Sequence, residues 1–156
     1  DSRLRLTFRP APGRPLGPFA CRVEITTDVD GGDYTLMLPV SGIVVPDIEI
    51  APPGRLGFGS IDVSDKSSQQ VMVTDHDTSR PAEFYVTGIV DRDGTDMSED
   101  FSARFDPVPD APRSRMLILD YAGTLDVNSF RGEVLLAKSP GGETVRTVEF
   151  VGYRRR

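Results

Sequence analysis

The chain has 156 residues, of which 38% are hydrophobic and 27% charged, a composition typical of a globular protein that can bury a core. Its net charge of −6 disfavours a nucleic acid as partner, because affinity for phosphates depends on clustered Lys and Arg. Only Arg154 to Arg156 form such a cluster, and we expect them to be a solvated tail. No stretch approaches the roughly twenty apolar residues that cross a bilayer, so we expect no membrane insertion within this chain. The first residues are also too polar for a signal peptide.

The first third of the chain predicts three strands. Leu4 to Phe8 alternates apolar and polar residues, and a connection rich in Pro and Gly follows it. A second alternating strand, Phe19 to Thr26, carries the only cysteine, Cys21, on its apolar face. We therefore expect Cys21 to be a small core residue, since no histidine lies near it in sequence to activate a thiol. Tyr34 to Val44 predicts the third strand.

The middle of the chain predicts further short strands separated by turn residues, which is typical of a β-sandwich. Ile48 to Ile61 predicts two strands broken by Pro-Pro-Gly, and Gln70 to Thr74 predicts the next. In Ala82 to Val90, the alternation places Ala82, Phe84, Val86 and Gly88 on one face. No segment shows a helical period.

The acidic segment from residue 91 to residue 100 is the clearest chemical signal. Carboxylates at alternating positions around a glycine can converge on Ca²⁺, and the candidate ligands are Asp91, Asp93, Asp96 and Asp100. Their spacing does not fit the EF-hand loop, which places its Gly and its Glu further on. We expect a solvated loop that binds no structural metal, or binds calcium only weakly.

Catalytic residues are not evident. His76, the only histidine, lies between two aspartates in a predicted turn, with Ser79 near it in sequence. A nucleophile, a base and an orienting group would have to meet there, and no Gly-x-Ser-x-Gly motif is present. No phosphate-binding loop followed by a helix occurs either. We therefore predict no catalytic residue and no cofactor.

A repeat connects the two ends of the chain. When Phe19 to Gly42 is aligned with Phe130 to Gly152, apolar residues and a Gly-Gly turn coincide. The matched positions are Phe19, Val23, Ile25, Leu38, Val40 and Gly42 with Phe130, Val134, Leu136, Val148, Phe150 and Gly152. Upstream, residues 6–8 match residues 117–119. The pattern predicts about one and a half copies of a β-module.

These features resemble the immunoglobulin-like domains of the abnormal-spindle/Hydin (ASH) type and their bacterial relatives. The resemblance lies in Leu56-Gly57-Phe58-Gly59, in the strand Val71 to Thr74, and in a closing strand that ends in Gly152, or in Leu38 to Gly42 in the first copy. Many bacterial members carry a Cys-Gly-Cys stretch after the third strand, which this chain lacks. The resemblance implies a fold related to major sperm protein, used as a scaffold or protein-binding module, with no catalytic residues to transfer.

We therefore predict an all-β protein. Residues 46–156 form one complete immunoglobulin-like β-sandwich, and residues 1–45 are the C-terminal strands of an incomplete copy. The expected function is a non-enzymatic structural or protein-interaction module of a larger, extracytoplasmic bacterial protein with several domains. The alternative is a ligand-binding module, dependent on calcium or specific for carbohydrate, although the chain has no Trp.

Two predictions concern packing. The residues of the last hairpin, Phe130, Val134, Leu136, Val148 and Phe150, are expected to pack across the sandwich on Val71, Val73, Phe84 and Val86. The predicted strands of residues 1–45 carry too much apolar surface to remain exposed to water, because burying each large side chain contributes roughly 1.5 to 3 kcal/mol. They either dock on the following domain or pair with a second chain as a homo-oligomer.

Overall fold

In the computed structural model of this chain, residues 7, 15–29, 32–62 and 64–155 are described. They contain ten β-strands and no helix. The chain divides into two compact units, Asp1–Pro46 (unit 1) and Asp47–Arg156 (unit 2). The predicted strand from Leu4 to Phe8 lies outside the described residues, apart from Thr7.

The strands coincide with alternating segments of the sequence, and turn residues separate them. Unit 1 holds β1 (Gly17–Val29) and β2 (Gly32–Val44). In unit 2 the strands are β3 (Ile48–Ala51), β4 (Leu56–Asp62), β5 (Ser67–Asp75), β6 (Tyr85–Asp91), β7 (Phe101–Pro107), β8 (Ser114–Tyr121), β9 (Ser129–Ala137) and β10 (Arg146–Arg155).

Unit 2 is a sandwich of two four-stranded sheets. One sheet has the order β4-β10-β9-β6 and the other the order β3-β5-β8-β7. All neighbours are antiparallel except β4 and β10, which are parallel. The Pro-Pro-Gly break between β3 and β4 lets the chain pass from one sheet to the other. Unit 2 is thus an immunoglobulin-like β-sandwich, as the sequence predicts.

The core contains a cluster of aromatic rings that joins the two sheets. Phe130 and Phe150 come from β9 and β10, and Phe101 comes from β7 in the facing sheet. The centroids of Phe101 and Phe150 are 4.7 Å apart, and those of Phe101 and Phe130 are 5.3 Å apart. The five predicted core residues of β9 and β10 are confirmed, since none is more than 6% exposed. Val71 and Val73 of β5 are buried in the facing sheet, as predicted.

Val86 is half-buried and packs against the core, but it lies in the same sheet as β9, so the prediction that it lies across the sandwich from β9 and β10 is wrong. Val86 pairs with Leu136, and the register then slips at a β-bulge so that Gly88 pairs with Leu135. The extra residue, Thr87, exchanges the two faces of the strand. As a result, Ile89 is buried in the core at 4% exposure instead of Gly88.

Two glycines make room for the aromatic rings. A Cβ atom at Gly132 would lie 2.5 Å from Cζ of Phe150 and 2.5 Å from the carbonyl oxygen of Val90. A Cβ atom at Gly152 would meet Cε2 of Phe130 at 2.7 Å. Each phenylalanine therefore lies over a glycine on the paired strand, and a larger residue at either glycine would force the ring or the backbone to move.

Unit 1 contains one antiparallel pair of strands. β1 and β2 pair in unbroken register from Gly17 with Val44 to Val29 with Gly32. Because side chains alternate along a strand, one face carries the predicted apolar residues. That these strands close an incomplete immunoglobulin-like repeat stays a prediction.

The packing of the aromatic cluster leads to a stability prediction. We expect Phe150→Ala to lower the free energy of unfolding by about 3–5 kcal/mol, because it removes a fully buried ring and leaves a cavity. Tyr153→Ala, in the same strand but 58% exposed, is the matched control and should change stability far less. Urea denaturation followed by circular dichroism measures both, and equal stabilities would contradict the packing.

Candidate functional site

The most concentrated group of charges lies at one end of the sandwich around Asp75. This residue ends β5 at only 1% exposure. Its Oδ1 accepts hydrogen bonds from Nζ of Lys138 and from the backbone N–H of Asp77, both at 2.9 Å. The Lys138 side chain, which follows β9, is 11% exposed. This pair therefore links a strand of one sheet to a strand of the other.

Arg113 adds a second cation to this group and organises the neighbouring loop. One of its terminal nitrogens lies 3.6 Å from Oδ2 of Asp75, an oxygen that has no hydrogen-bond partner among the described residues. Its guanidinium donates to the carbonyl oxygens of Asp75, Asp77 and Arg80. Arg113 therefore holds three carbonyl groups of the segment from Asp75 to Arg80.

The Asp75 carboxyl is held in its ionised form. Burial by itself raises its pKa, but the hydrogen bonds from Lys138 and Asp77 and the charges of Lys138 and Arg113 outweigh that effect, so its pKa is lowered. A general base needs a pKa near the working pH and access to a substrate. A buried carboxylate with a lowered pKa and two cationic neighbours is a structural anchor instead.

The sequence analysis missed this group, although the pattern contains a signal for it. Val71, Val73 and Asp75 occupy successive inward positions of β5, and Lys138 follows the inward residue Leu136 of β9. Two residues of opposite charge thus continue two apolar faces. Charged residues at inward positions are rarely buried unless they are paired, so the phasing alone indicates a pair.

His76 does not form a catalytic arrangement. Its Nε2 lies 2.7 Å from Oε2 of Glu49, and its backbone N–H donates to the carbonyl oxygen of Asp47. The Ser79 hydroxyl donates to Oδ1 of Asp77 at 2.6 Å, and this bond is the main cause of the lowered pKa of Asp77. Among the described residues no hydroxyl hydrogen-bonds to His76. The segment from Asp75 to Arg80 is a turn, as predicted.

Three of the four aspartates, Asp91, Asp96 and Asp100, accept hydrogen bonds from different partners. Oδ1 of Asp91 accepts the N–H groups of Asp93 and Thr95, both at 2.8 Å. Asp96 accepts the N–H and the hydroxyl of Ser98, and Asp100 accepts the hydroxyl of Thr124. These bonds lower the pKa of Asp91 and Asp96, chiefly through Thr95 and Ser98 respectively. The carboxylates shape the turns of the loop.

One side of this loop is lined by arginines. Asp91 and Asp93 line a cleft of about 510 Å³ together with Arg55, Arg92 and Arg131. Three guanidinium groups beside two carboxylates oppose the approach of a divalent cation. Within the described parts of the chain, no three His, Cys, Asp or Glu side chains lie close enough together to hold a metal ion. Weak or absent calcium binding stays a prediction.

Two of the three C-terminal arginines, Arg154 and Arg155, belong to strand β10. β10 extends to Arg155, and Nη1 of Arg154 donates to Oδ1 of Asp126 at 2.8 Å and to the carbonyl oxygen of Leu125. The prediction of a solvated tail is therefore wrong for Arg154, whose side chain is 17% exposed. Arg156 lies outside the described residues.

In the described chain, no helix is long and apolar enough to span a bilayer.

Unit 1 offers a different kind of surface, which we call the hairpin inner face. It comprises Phe19, Cys21, Val23 and Ile25 of β1 and Leu36, Leu38, Val40 and Gly42 of β2. Cys21 is half-buried on this face, opposite Val40, and is not among the fully buried residues of the described chain. Leu36 is 54% exposed, and the other side chains on the face are half-buried.

The hairpin inner face matches the inner face of β9 and β10 pair by pair. Phe19 pairs with Gly42 as Phe130 pairs with Gly152. The following pairs correspond in order: Cys21–Val40, Val23–Leu38 and Ile25–Leu36 with Gly132–Phe150, Val134–Val148 and Leu136–Arg146. A Cβ atom at Gly42 would lie 2.8 Å from Cε1 of Phe19, so the ring lies over the glycine in both hairpins.

The second pair of this series shows compensating sizes. Gly132 is opposite the large Phe150, whereas Cys21 is opposite the smaller Val40. The Cβ atom that Cys21 carries would collide with a phenylalanine placed as Phe150 is, since that ring fills the Cβ position of Gly132. Each hairpin therefore fills the same site in a different way, which supports the internal repeat.

No protein-family model matches the chain, and no curated protein sequence is similar enough to count as a match. The resemblance to the ASH type therefore stays a prediction, carried by the residues quoted for it.

The buried ion pair leads to a prediction on stability. We expect Lys138→Met to lower the free energy of unfolding at neutral pH by about 3–5 kcal/mol, because it leaves a buried carboxylate without its closest cation. Lys66→Met, at an exposed position, is the control and should change stability by less than about 0.5 kcal/mol. Similar losses of stability in Lys138→Met and Lys66→Met would show that the ion pair between Asp75 and Lys138 does not cause the effect.

The same pair predicts a dependence on pH. Because the pKa of Asp75 is lower in the folded state than its ordinary value of 3.8, its contribution to stability is present above pH 3.8. That contribution is lost as the pH falls through the folded pKa. Between about pH 5 and about pH 2, the free energy of unfolding should therefore fall less steeply for Asp75→Asn than for the wild type. The same pH dependence in both proteins would contradict this role of Asp75.

Calcium provides the test of the acidic loop. We expect millimolar CaCl₂ to leave the melting temperature unchanged, whereas a site filled at 100 times its dissociation constant would add about 2.7 kcal/mol. An upward shift that disappears in Asp93→Asn but persists in Asp65→Asn, an exposed aspartate elsewhere, would establish a calcium site in the loop.

Proposed function

We propose that this chain is a non-enzymatic structural and protein-interaction module of a larger extracytoplasmic bacterial protein with several immunoglobulin-like domains. In this proposal it spaces neighbouring domains or docks them. The single observation that carries it is the equivalence of the two hairpins in register and in their phenylalanine–glycine contacts. A chain that contains a module and the matching hairpin of another has the organisation of a tandem array.

The polar groups of unit 2 support a structural role. Asp75, Lys138 and Arg113 neutralise one another inside the fold, and His76 contacts Glu49 without a hydroxyl partner among the described residues. The acidic loop uses its carboxylates to cap its own turns. These side chains are used to hold loops, and no described group combines an activated nucleophile with a base.

The connection between the units supports a spacer. β2 ends at Val44 and β3 begins at Ile48, so three residues separate the two strands, and one of them is Pro46. The carbonyl oxygen of Asp47 also accepts a hydrogen bond from the His76 N–H in unit 2. A short connection that contains a proline and is anchored at one end restricts rotation between domains.

A location outside the cytoplasm is proposed from the ASH-type resemblance alone.

Distance measurements between spin labels test the spacer. The labelled chain carries Thr26→Cys in unit 1 and Ser102→Cys in unit 2, both at exposed positions, with Cys21→Ser to remove the native thiol. We expect one narrow distance distribution, because the three-residue connection allows little rotation. A control chain with a flexible Gly-Ser insertion after Val45 should give a broader distance distribution. A distribution that is already broad without the insertion would contradict the proposed spacer function.

A further inference from the structure

The arginines of unit 2 differ in whether their side chains have an acceptor. Seven of those described are hydrogen-bonded or ion-paired to a carboxylate, a hydroxyl or a carbonyl group: Arg80, Arg104, Arg113, Arg115, Arg131, Arg154 and Arg155. The other three, Arg55, Arg92 and Arg146, are exposed and have no such partner among the described residues. Their guanidinium groups are therefore available to acceptors from another molecule.

These three arginines line two clefts that share Arg55. The first cleft, of about 710 Å³, contains Arg55 and Arg146, and the second, of about 510 Å³, contains Arg55 and Arg92. Alternate residues of β10 line the two clefts in turn: Thr147 and Glu149, then Val151 and Tyr153. We call the two clefts together the arginine groove, and all its residues belong to unit 2.

The arginine groove also holds the exposed apolar side chains of unit 2. Three large hydrophobic residues of this unit are exposed by more than 40%: Val127, Val145 and Tyr153. Val145 lines the first cleft, and the other two line the second. Phe130 and Met97, each no more than 8% exposed, also line the second cleft and give it an apolar floor. Exposed apolar groups gathered in one place are typical of an interaction site.

The charges of the groove favour an anionic partner. Four arginines and three carboxylates line it, in a chain whose net charge is −6. Glu149 is paired with Arg131 at 3.0 Å, and Oδ1 of Asp91 accepts two backbone N–H groups. Asp93 is the only carboxylate of the groove that has neither an ion pair nor a hydrogen bond among the described residues, and it faces three unpaired arginines.

We propose that the arginine groove binds an extended segment of a partner protein that carries both carboxylate and apolar side chains. The proposal deepens the proposed function and rests on it, since it names the site and the chemistry of the interaction module. From Arg146 to Tyr153, β10 extends over about 24 Å at about 3.4 Å per residue, which matches a segment of about seven extended residues. Beside Val151, no atom lies within 4 Å of the Cβ position at Gly57, so the surface next to β10 is open.

Other partners satisfy only part of the groove. A nucleic acid or a sulfated glycan would pair with the arginines, but the net charge of −6 repels a long polyanion and the exposed apolar side chains would gain nothing. A neutral apolar segment would cover the unpaired arginines without giving them acceptors. A protein segment with both kinds of side chain satisfies the arginines and the apolar residues together.

A library of random heptapeptides displayed on phage tests the chemistry of the partner. With the wild-type chain as bait, we expect the selected peptides to be enriched in Asp and Glu and in apolar residues over the starting library. The chain that carries Arg55→Gln, Arg92→Gln and Arg146→Gln together should not enrich them. Arg80→Gln is the control bait, because Arg80 is exposed but lies outside the groove, and it should select the same peptides as the wild type.

Fluorescence polarisation with one selected, fluorescein-labelled peptide measures the contribution of single side chains. Arg55→Gln should raise the dissociation constant by about tenfold or more, because Arg55 lines both clefts and its charged hydrogen bond is lost. Tyr153→Ala should also weaken binding, whereas Arg80→Gln should change it by less than about twofold. All of these positions are exposed, so the melting temperature of each variant should stay close to that of the wild type.

The outcomes separate this site from the spacer. Selection without enrichment of Asp and Glu would overturn the proposal, as would peptides that bind the triple variant as tightly as the wild type. Heparin, duplex DNA or phosphatidylglycerol vesicles that bind more tightly than the peptides through Arg55 would overturn it too. A chain that selects no acidic peptide but gives a narrow spin-label distance refutes only the groove, whereas peptide binding with a broad distance refutes only the spacer.

Discussion

The packing of a phenylalanine over a glycine on the paired strand is the contact on which the sandwich depends. Phe130 and Phe150 reach the core because Gly152 and Gly132 leave space beside them. Their rings then meet Phe101 from the facing sheet, so the contact between two strands also becomes the contact between two layers. Because interiors are packed as densely as crystals, the register of β9 and β10 and the spacing of the sheets are determined together.

The same constraint explains why the two hairpins can be recognised as equivalent. A ring over a glycine is tolerated only at one register, since a slip by one residue moves every side chain to the other face. Phe19 over Gly42 therefore fixes the pairing of β1 and β2 as Phe130 over Gly152 fixes that of β9 and β10. In unit 2 the facing sheet covers the apolar face of β9 and β10, whose five matched side chains are no more than 6% exposed.

Electrostatics contributes at the rim of the sandwich. Asp75, Lys138 and Arg113 connect the end of β5, the end of β9 and the connection between β7 and β8. A buried ion pair adds little net stability over an apolar pair, but breaking it is costly, so it specifies which loops meet. The acidic loop works locally instead, because Asp91 and Asp96 accept hydrogen bonds from residues two to four positions away, whereas Asp100 accepts one from Thr124. Polar chemistry in unit 2 thus serves its loops.

The sequence by itself determined most of the described strands, because alternation and turn residues act over a few neighbouring positions. It also placed Phe130 and Phe150 in the core correctly. Only the tertiary structure decided that Ile89 instead of Gly88 faces the core, since the bulge at Thr87 depends on how β6 meets β9. It alone paired Asp75 with Lys138 and Arg154 with Asp126, because these partners lie 63 and 28 residues apart. The inward phasing of Asp75 and Lys138 indicates that each charge needs a partner, but only the packing of the two sheets decides which residues meet.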